Sequence, residues 1–188
     1  RIGLPRQYGW WLFVLGPGLA VLDYGLLPQQ PSLLGHAGWL FQYFLVWAYL
    51  WAYWHLVRQH YGFMVLYRRK AGETQGHLDT AFLWIGSLYP YLRFSLSEAY
   101  LHSGLPQILP VTWLAPTRVG LDVLLVMSMV GLLGLRLSQR RQQPLRMGPK
   151  QLFLGIVVTF HLLVFSLLDN LLTIAATLTI FHNFQYHR

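Results

Sequence analysis

Apolar positions gather into six runs, each bounded by a short polar gap: Gly9 to Leu27, Ala37 to Val57, Ala81 to Leu101, Val119 to Leu137, Gln151 to Leu168, and Leu171 to Tyr186. Most approach the ~20 residues that carry an α-helix across ~30 Å of hydrocarbon. The pattern predicts an all-α fold, a polytopic transmembrane bundle of about six spanning helices in a single domain over residues 1–188. The sixth run is the shortest and needs local thinning or polar ends at the interface.

The gaps sort by charge. Arg1 and Arg6 precede the first run, and the gap after it, Pro28 to His36, has no charge. Arg58, Arg68, Arg69 and Lys70 follow the second run, and only Arg118 follows the third. Arg136, Arg140, Arg141, Arg146 and Lys150 follow the fourth; Asp169-Asn170 alone separates the fifth and sixth; Arg188 closes the chain. Strict alternation of basic and non-basic gaps is the positive-inside pattern and places both termini in the cytoplasm. One long helix through Asp169-Asn170 would run roughly 55 Å with almost no polar length, so a hairpin is expected there. Gln59 to Lys70 mixes aromatics with cations and reads as a separate helix lying in the cytoplasmic interface. Gly104 to Pro116, with three prolines, reads as an irregular outer loop. Gly131 and Gly134 are positions where a neighbouring helix can come close.

Composition agrees. The chain of 188 residues is 55% hydrophobic and 11% charged, with a mean hydropathy of +0.41; soluble domains carry about 25% charged residues. The basic residues behind the net charge of +8 sit mostly in the gaps and at run ends, Arg93 lying deeper, which argues against a nucleic-acid face. Without cysteine there is no disulfide, thiolate site or thiol nucleophile. No phosphate-cradling glycine loop, nucleophile elbow or H-E-x-x-H occurs. The start at Arg1 and the stop directly after an apolar run predict a portion of a longer protein.

The candidate chemistry is histidine. Eight are present. His55 and His60 fall at the cytoplasmic end of the second run, His77 just before the third, and His182 and His187 at the cytoplasmic end of the sixth. Neutral imidazole is the commonest protein ligand for transition metals. The expected core is His55 with His182, completed by His60, His77 or His187, with Gln59, Asn183 and Gln185 orienting the rings. The competing reading is interfacial histidines bonded to water or lipid. His161 stands alone mid-way along the fifth run, as a core histidine bonded to a neighbour, an axial ligand for haem or a chlorophyll-type pigment, or a fourth metal ligand. On the outer side Glu98 and His102 share a face, Asp122 lies at a helix end and Arg93 sits deeper; ion pairs tying helices together are expected there, since intramembrane charges pair with each other.

Histidines at the cytoplasmic ends of spans amid abundant aromatics resemble the membrane-bound non-haem iron oxygenases, among them the lipid desaturases and hydroxylases and the bacterial membrane β-carotene dioxygenases. The resemblance implies iron, dioxygen and an apolar substrate, a lipid or carotenoid, reached from within the bilayer. Trp47, Trp51, Trp54, Phe181 and Phe184 are candidates to line its slot. The chain departs from the desaturases in having H-x-x-x-x-H twice in place of their H-x-x-x-H and H-x-x-H-H boxes. The strings WHLVRQHYGFMVLYRRK and HNFQYH are similar to stretches in bacterial multi-pass proteins, which implies no function; the expected location is a bacterial inner membrane. A second expectation is a non-catalytic subunit of a larger respiratory or photosynthetic membrane complex, contacting lipids and other subunits and binding haem or pigment.

Overall fold

The structure, a computed structural model, describes residues 18, 39–73, 76–106, 109–140 and 148–184. Nearly all of the first run, with His36, Arg141, Arg146, Gln185, Tyr186 and His187, lies outside them. The described residues form helices and no strand: α1 Trp39–Lys70, α2 His77–Ser95, α3 Glu98–Leu101, α4 Val111–Arg140, α5 Pro149–Leu167 and α6 Leu171–Phe184. Two stretches, Val111–Ser138 and Pro149–Leu167, are long and apolar enough to cross a membrane. The chain divides into two units, residues 1–53 and 54–188. In the first, Trp47 stacks on Trp51 (centroids 6.2 Å apart), and both are exposed.

Within the second unit the contacts fix the direction of each helix. Along α2 and α5, Asp79 meets Lys150, Gly86 meets Val158 and Tyr91 meets Phe165, so these two run parallel. Asp79 meets Arg136 and Tyr89 meets Asp122, so α4 runs against α2. His60 meets His161 and Tyr67 meets Phe153, so α1 runs against α5. Phe160 and Phe181 stack at 3.9 Å on either side of the 168–170 break, which requires the chain to reverse between α5 and α6. The long helices therefore alternate in direction, in the order that the charged gaps predict.

The α5–α6 hairpin forms without Gly or Pro. Leu168 is extended (φ −107°, ψ 133°), and the Asn170 carboxamide oxygen accepts from the N–H groups of Leu172 (2.9 Å) and Thr173 (3.2 Å), an N-cap that restarts the helix. At its other end α5 opens on Pro149, where a missing N–H costs nothing, with the Gln151 side chain accepting from Gly148 N–H.

Several expectations are corrected. Gln59 to Lys70 is no separate interfacial helix; it continues α1, whose 32 residues extend about 48 Å. The outer loop ends at Pro110, because Val111 to Pro116 already form the first turns of α4, where proline is best tolerated. The third run breaks at Leu96, and Ser97, accepting from Tyr100 N–H, caps the single turn of α3. Among the described residues a Cβ added at Gly131 or Gly134 would meet no neighbour within 4 Å; a close approach of helices falls at Gly86, against Val158.

Candidate functional site

One end of the unit carries an ionic layer. The Lys150 ammonium, almost wholly buried, bonds to Glu73 and, at 2.5 Å, to Asp79; the other Asp79 oxygen pairs with Arg136. The cluster ties the starts of α2 and α5 to the end of α4. It occupies both carboxylates, Glu73 and Asp79, that stand near the predicted metal ligands in sequence. At the opposite end Arg93 Nε donates to the Tyr89 hydroxyl (3.1 Å) and pairs with Asp122 (3.0 Å), and the Tyr89 hydroxyl donates to Asp122 (2.9 Å). This is the expected helix-tying pair. Glu98 and His102 do not pair through the carboxylate: the His102 Nδ1–H donates to the Glu98 backbone carbonyl (2.7 Å).

Inward of the ionic layer is an apolar layer of Met64, Leu83, Leu154 and Val157, all buried. Inward again lie two histidines. His60 from α1 and His161 from α5 are fully buried, with rings edge to face and centroids 5.2 Å apart. Phe153 (6.3 Å) and Phe181 (5.9 Å) stand against the His60 ring, and Phe160 stacks on Phe181. His161 Nδ1–H donates to the Val157 carbonyl one turn earlier (2.8 Å), which leaves Nε2 as the nitrogen with its lone pair in the neutral ring.

A second pair lies alongside. His55 is exposed on α1, one turn before Gln59, whose amide nitrogen is 2.7 Å from His55 Nε2. His182 on α6 is half-buried and within electrostatic reach of His55. Asn183 is exposed next to His182.

The depth is not the expected one. Because α1 runs on to Lys70, His60 lies about 15 Å from its basic end, and His161 lies about 16 Å along α5 from Lys150. His60 and His161 sit buried along the helices, away from their ionic ends. His77 opens α2, exposed, two residues before Asp79, so it is held at the ionic layer and away from the other four. His161, read from the sequence as solitary, is the partner of His60; identical residues 101 positions apart carry no signal of contact in a single sequence. His187 and Gln185 lie outside the described residues.

Among the described residues no group of three or more His, Asp or Glu side chains is arranged to hold a metal ion. The inner pair offers two imidazoles and no carboxylate. The edge-to-face contact leaves no gap between the rings for a tetrapyrrole plane, so a haem held axially by both does not fit. Trp54, a candidate slot residue, is exposed beneath Arg58, whose guanidinium lies 5.4 Å from its ring centroid. The chain matches no family model, no curated protein and no solved structure.

Proposed function

We propose that this chain is a polytopic protein of a bacterial inner membrane that holds a metal ion, with iron the first candidate, in a histidine cluster formed by His60 and His161 and extended by His182 and His55. The observation that carries this reading is the fully buried His60–His161 pair, with the His161 tautomer set by the Val157 carbonyl. Holding a ligand ring through its other nitrogen is how proteins orient imidazoles toward metals. A metal there would supply dioxygen activation toward an apolar lipid or carotenoid substrate. The chain's own contribution is to orient the imidazoles, wall the pair with Phe153, Phe160 and Phe181, and exclude water through the Met64–Leu83–Leu154–Val157 layer.

The test is metal analysis with a visible spectrum on purified protein, on His60→Ala and His161→Ala, and on His77→Ala as control. The expected result is iron without porphyrin bands, lost in the first two variants and retained in the third. Wild-type protein without metal, or equal loss in His77→Ala, overturns the reading. Circular dichroism of each variant separates ligand loss from unfolding.

A second reading, a non-catalytic subunit of a larger membrane complex, is favoured by α4, which exposes Val119, Val123, Val126, Met127, Val130 and Leu133. Porphyrin or chlorin bands in the same spectrum would put this reading first.

A further inference from the structure

The turn from α1 into α2 sorts the charges at the ionic end. Gly72 has a positive φ (68°), and the N–H groups of Ala71, Gly72 and Glu73 donate back to the carbonyls of Tyr67 (3.0 Å), Arg69 (3.1 Å) and Arg68 (3.1 Å). This Schellman turn closes the helix with its own backbone, so the cations of the last turn are not needed to cap its carbonyls. It also carries Glu73, the carboxylate nearest to Arg68, Arg69 and Lys70 in sequence, across to Lys150. Asp79 is taken by Lys150 and Arg136. Arg68 lies against Gly76, where a Cβ would run into its side chain, and Arg69 and Lys70 are exposed. Arg140 ends α4 at the same end of the unit. The chain has six carboxylates in all. Glu98, Asp122 and Asp169 belong to the opposite end, and Asp23 to the end of the first run that leads into the uncharged gap. Residues 141–147 and 185–188 add arginines and no carboxylate. Four cations at the ionic end thus outnumber any acidic side chain the chain has left to answer them.

We propose that Arg68, Arg69 and Lys70, with Arg140 at the same end of the unit, form a docking surface for the phosphate headgroups of anionic phospholipids. This rests on the membrane reading above, not on the metal, and adds the lipid class. Depth argues for a lipid. Gln59 to Tyr67 carries no charge, and the Tyr67 ring packs against Phe153 (5.5 Å), so apolar packing continues to the residue before the triplet. The cations begin where hydrocarbon ends, which is the level of the headgroup phosphates. A phosphodiester there meets arginines able to hold two oxygens at once and a lysine as a point charge. A zwitterionic headgroup brings its own ammonium and gains far less. Each cation near an anionic leaflet raises affinity about fivefold.

The test titrates the detergent-solubilised chain into phosphatidylglycerol or phosphatidylcholine, each carrying the same fluorophore on an acyl chain, and reads anisotropy. Phosphatidylglycerol should bind several-fold more tightly, and high salt should remove the advantage. Arg69→Gln combined with Lys70→Gln should weaken phosphatidylglycerol by roughly fivefold or more and leave phosphatidylcholine unchanged. The charge-preserving exchange, Arg69→Lys with Lys70→Arg, should keep the preference, as should Arg118→Gln at the opposite end. Both substituted residues are exposed, and circular dichroism checks that the helices remain; the salt dependence of the wild type needs no variant at all. Equal binding of the two lipids by the wild type, an unchanged preference in the double variant, or an equal loss in Arg118→Gln overturns the proposal. Displacement of the lipid by glycerol 3-phosphate, a headgroup without chains, overturns it in favour of a soluble phosphate. A chain that stays in solution without detergent counts against the membrane reading itself, and an absent metal counts against the metal site alone.

Discussion

Replacing Gly86 by alanine is the sharpest test of the packing that positions the site. A Cβ at Gly86 would lie 2.6 Å and 2.8 Å from the two γ-carbons of Val158 and 3.3 Å from its Cβ. Carbon atoms pack at about 3.5–4.0 Å, so the methyl is about 1 Å too close. Valine on a helix has essentially one side-chain rotamer and cannot turn away. The parallel helices α2 and α5 must therefore separate, and overpacking of this kind costs about 1–3 kcal/mol. For a chain of this size that corresponds to a fall in Tm of roughly 2–12 °C. Helix loss on heating in detergent, followed by circular dichroism, reads it. The companion variant Val158→Ala removes both γ-carbons, so Gly86→Ala combined with Val158→Ala should be more stable than the sum of the single changes allows, with a coupling of about 0.5–3 kcal/mol. A Gly86→Ala protein that melts with the wild type, or a double variant that merely adds the two losses, would refute the close approach. Because His161 is one turn beyond Val158, the same separation should loosen any metal bound by the inner pair.

Lys150→Met should cost about 3–5 kcal/mol, because it strands the buried Asp79 carboxylate with Arg136 as its sole cation. Glu73→Gln, at the partly exposed edge of the same cluster, should cost under about 1 kcal/mol, and equal melting of the two variants would show that the cluster is not buried. Asn170→Ala removes the acceptor for two N–H groups and should cost about 1 kcal/mol, which Asn170→Asp should largely restore; an unchanged melt would rule out the cap. A cysteine replacing Arg140 should resist a membrane-impermeant maleimide in intact cells and react after the cells are opened, and labelling from outside would reverse the topology.

Hydropathy and gap charge are enough to read the helices and their alternating direction, because both follow from the cost of placing charge and bare backbone in hydrocarbon. Boundaries are less legible. Val57 ends the apolar run but not the helix: Gln59 to Lys70 holds good helix formers and a single glycine, Gly62, so nothing stops the backbone from continuing. That one misplaced end moves the buried His60 from the length of the helix to its rim. Asn170 is visible as a polar break, yet its role as a cap depends on a side-chain rotamer. The Lys150–Asp79 and His60–His161 contacts join residues 71 and 101 positions apart, and only the register of packed helices brings them together.

That register also separates two kinds of polarity. On α2 the charged residues Asp79 and Arg93 are 14 positions apart, and on α4 Asp122 and Arg136 are again 14 apart, each facing its partner across the pair. Both intervals correspond to about 21 Å of helix. Between these levels Thr80 to Leu92, Val123 to Leu135, Gln151 to Val164 and Gln59 to Tyr67 contain no charged residue. A charge-free slab capped by paired ions suits a ~30 Å hydrocarbon layer, in which unpaired charges are not tolerated and paired ones persist near the ends. The exposed valines and leucines of α4 face outward along this slab. A soluble protein would leave that much contiguous apolar surface in water, which ordinary monomers avoid. Against such a background, two fully buried histidines lie within the charge-free stretches of α1 and α5. Burying an imidazole there costs desolvation that an apolar side chain would not incur, offset in part at His161 by its hydrogen bond to the Val157 carbonyl. That difference makes His60 and His161, ahead of the more exposed His55 and His182, the residues on which the metal-binding reading should first be tried.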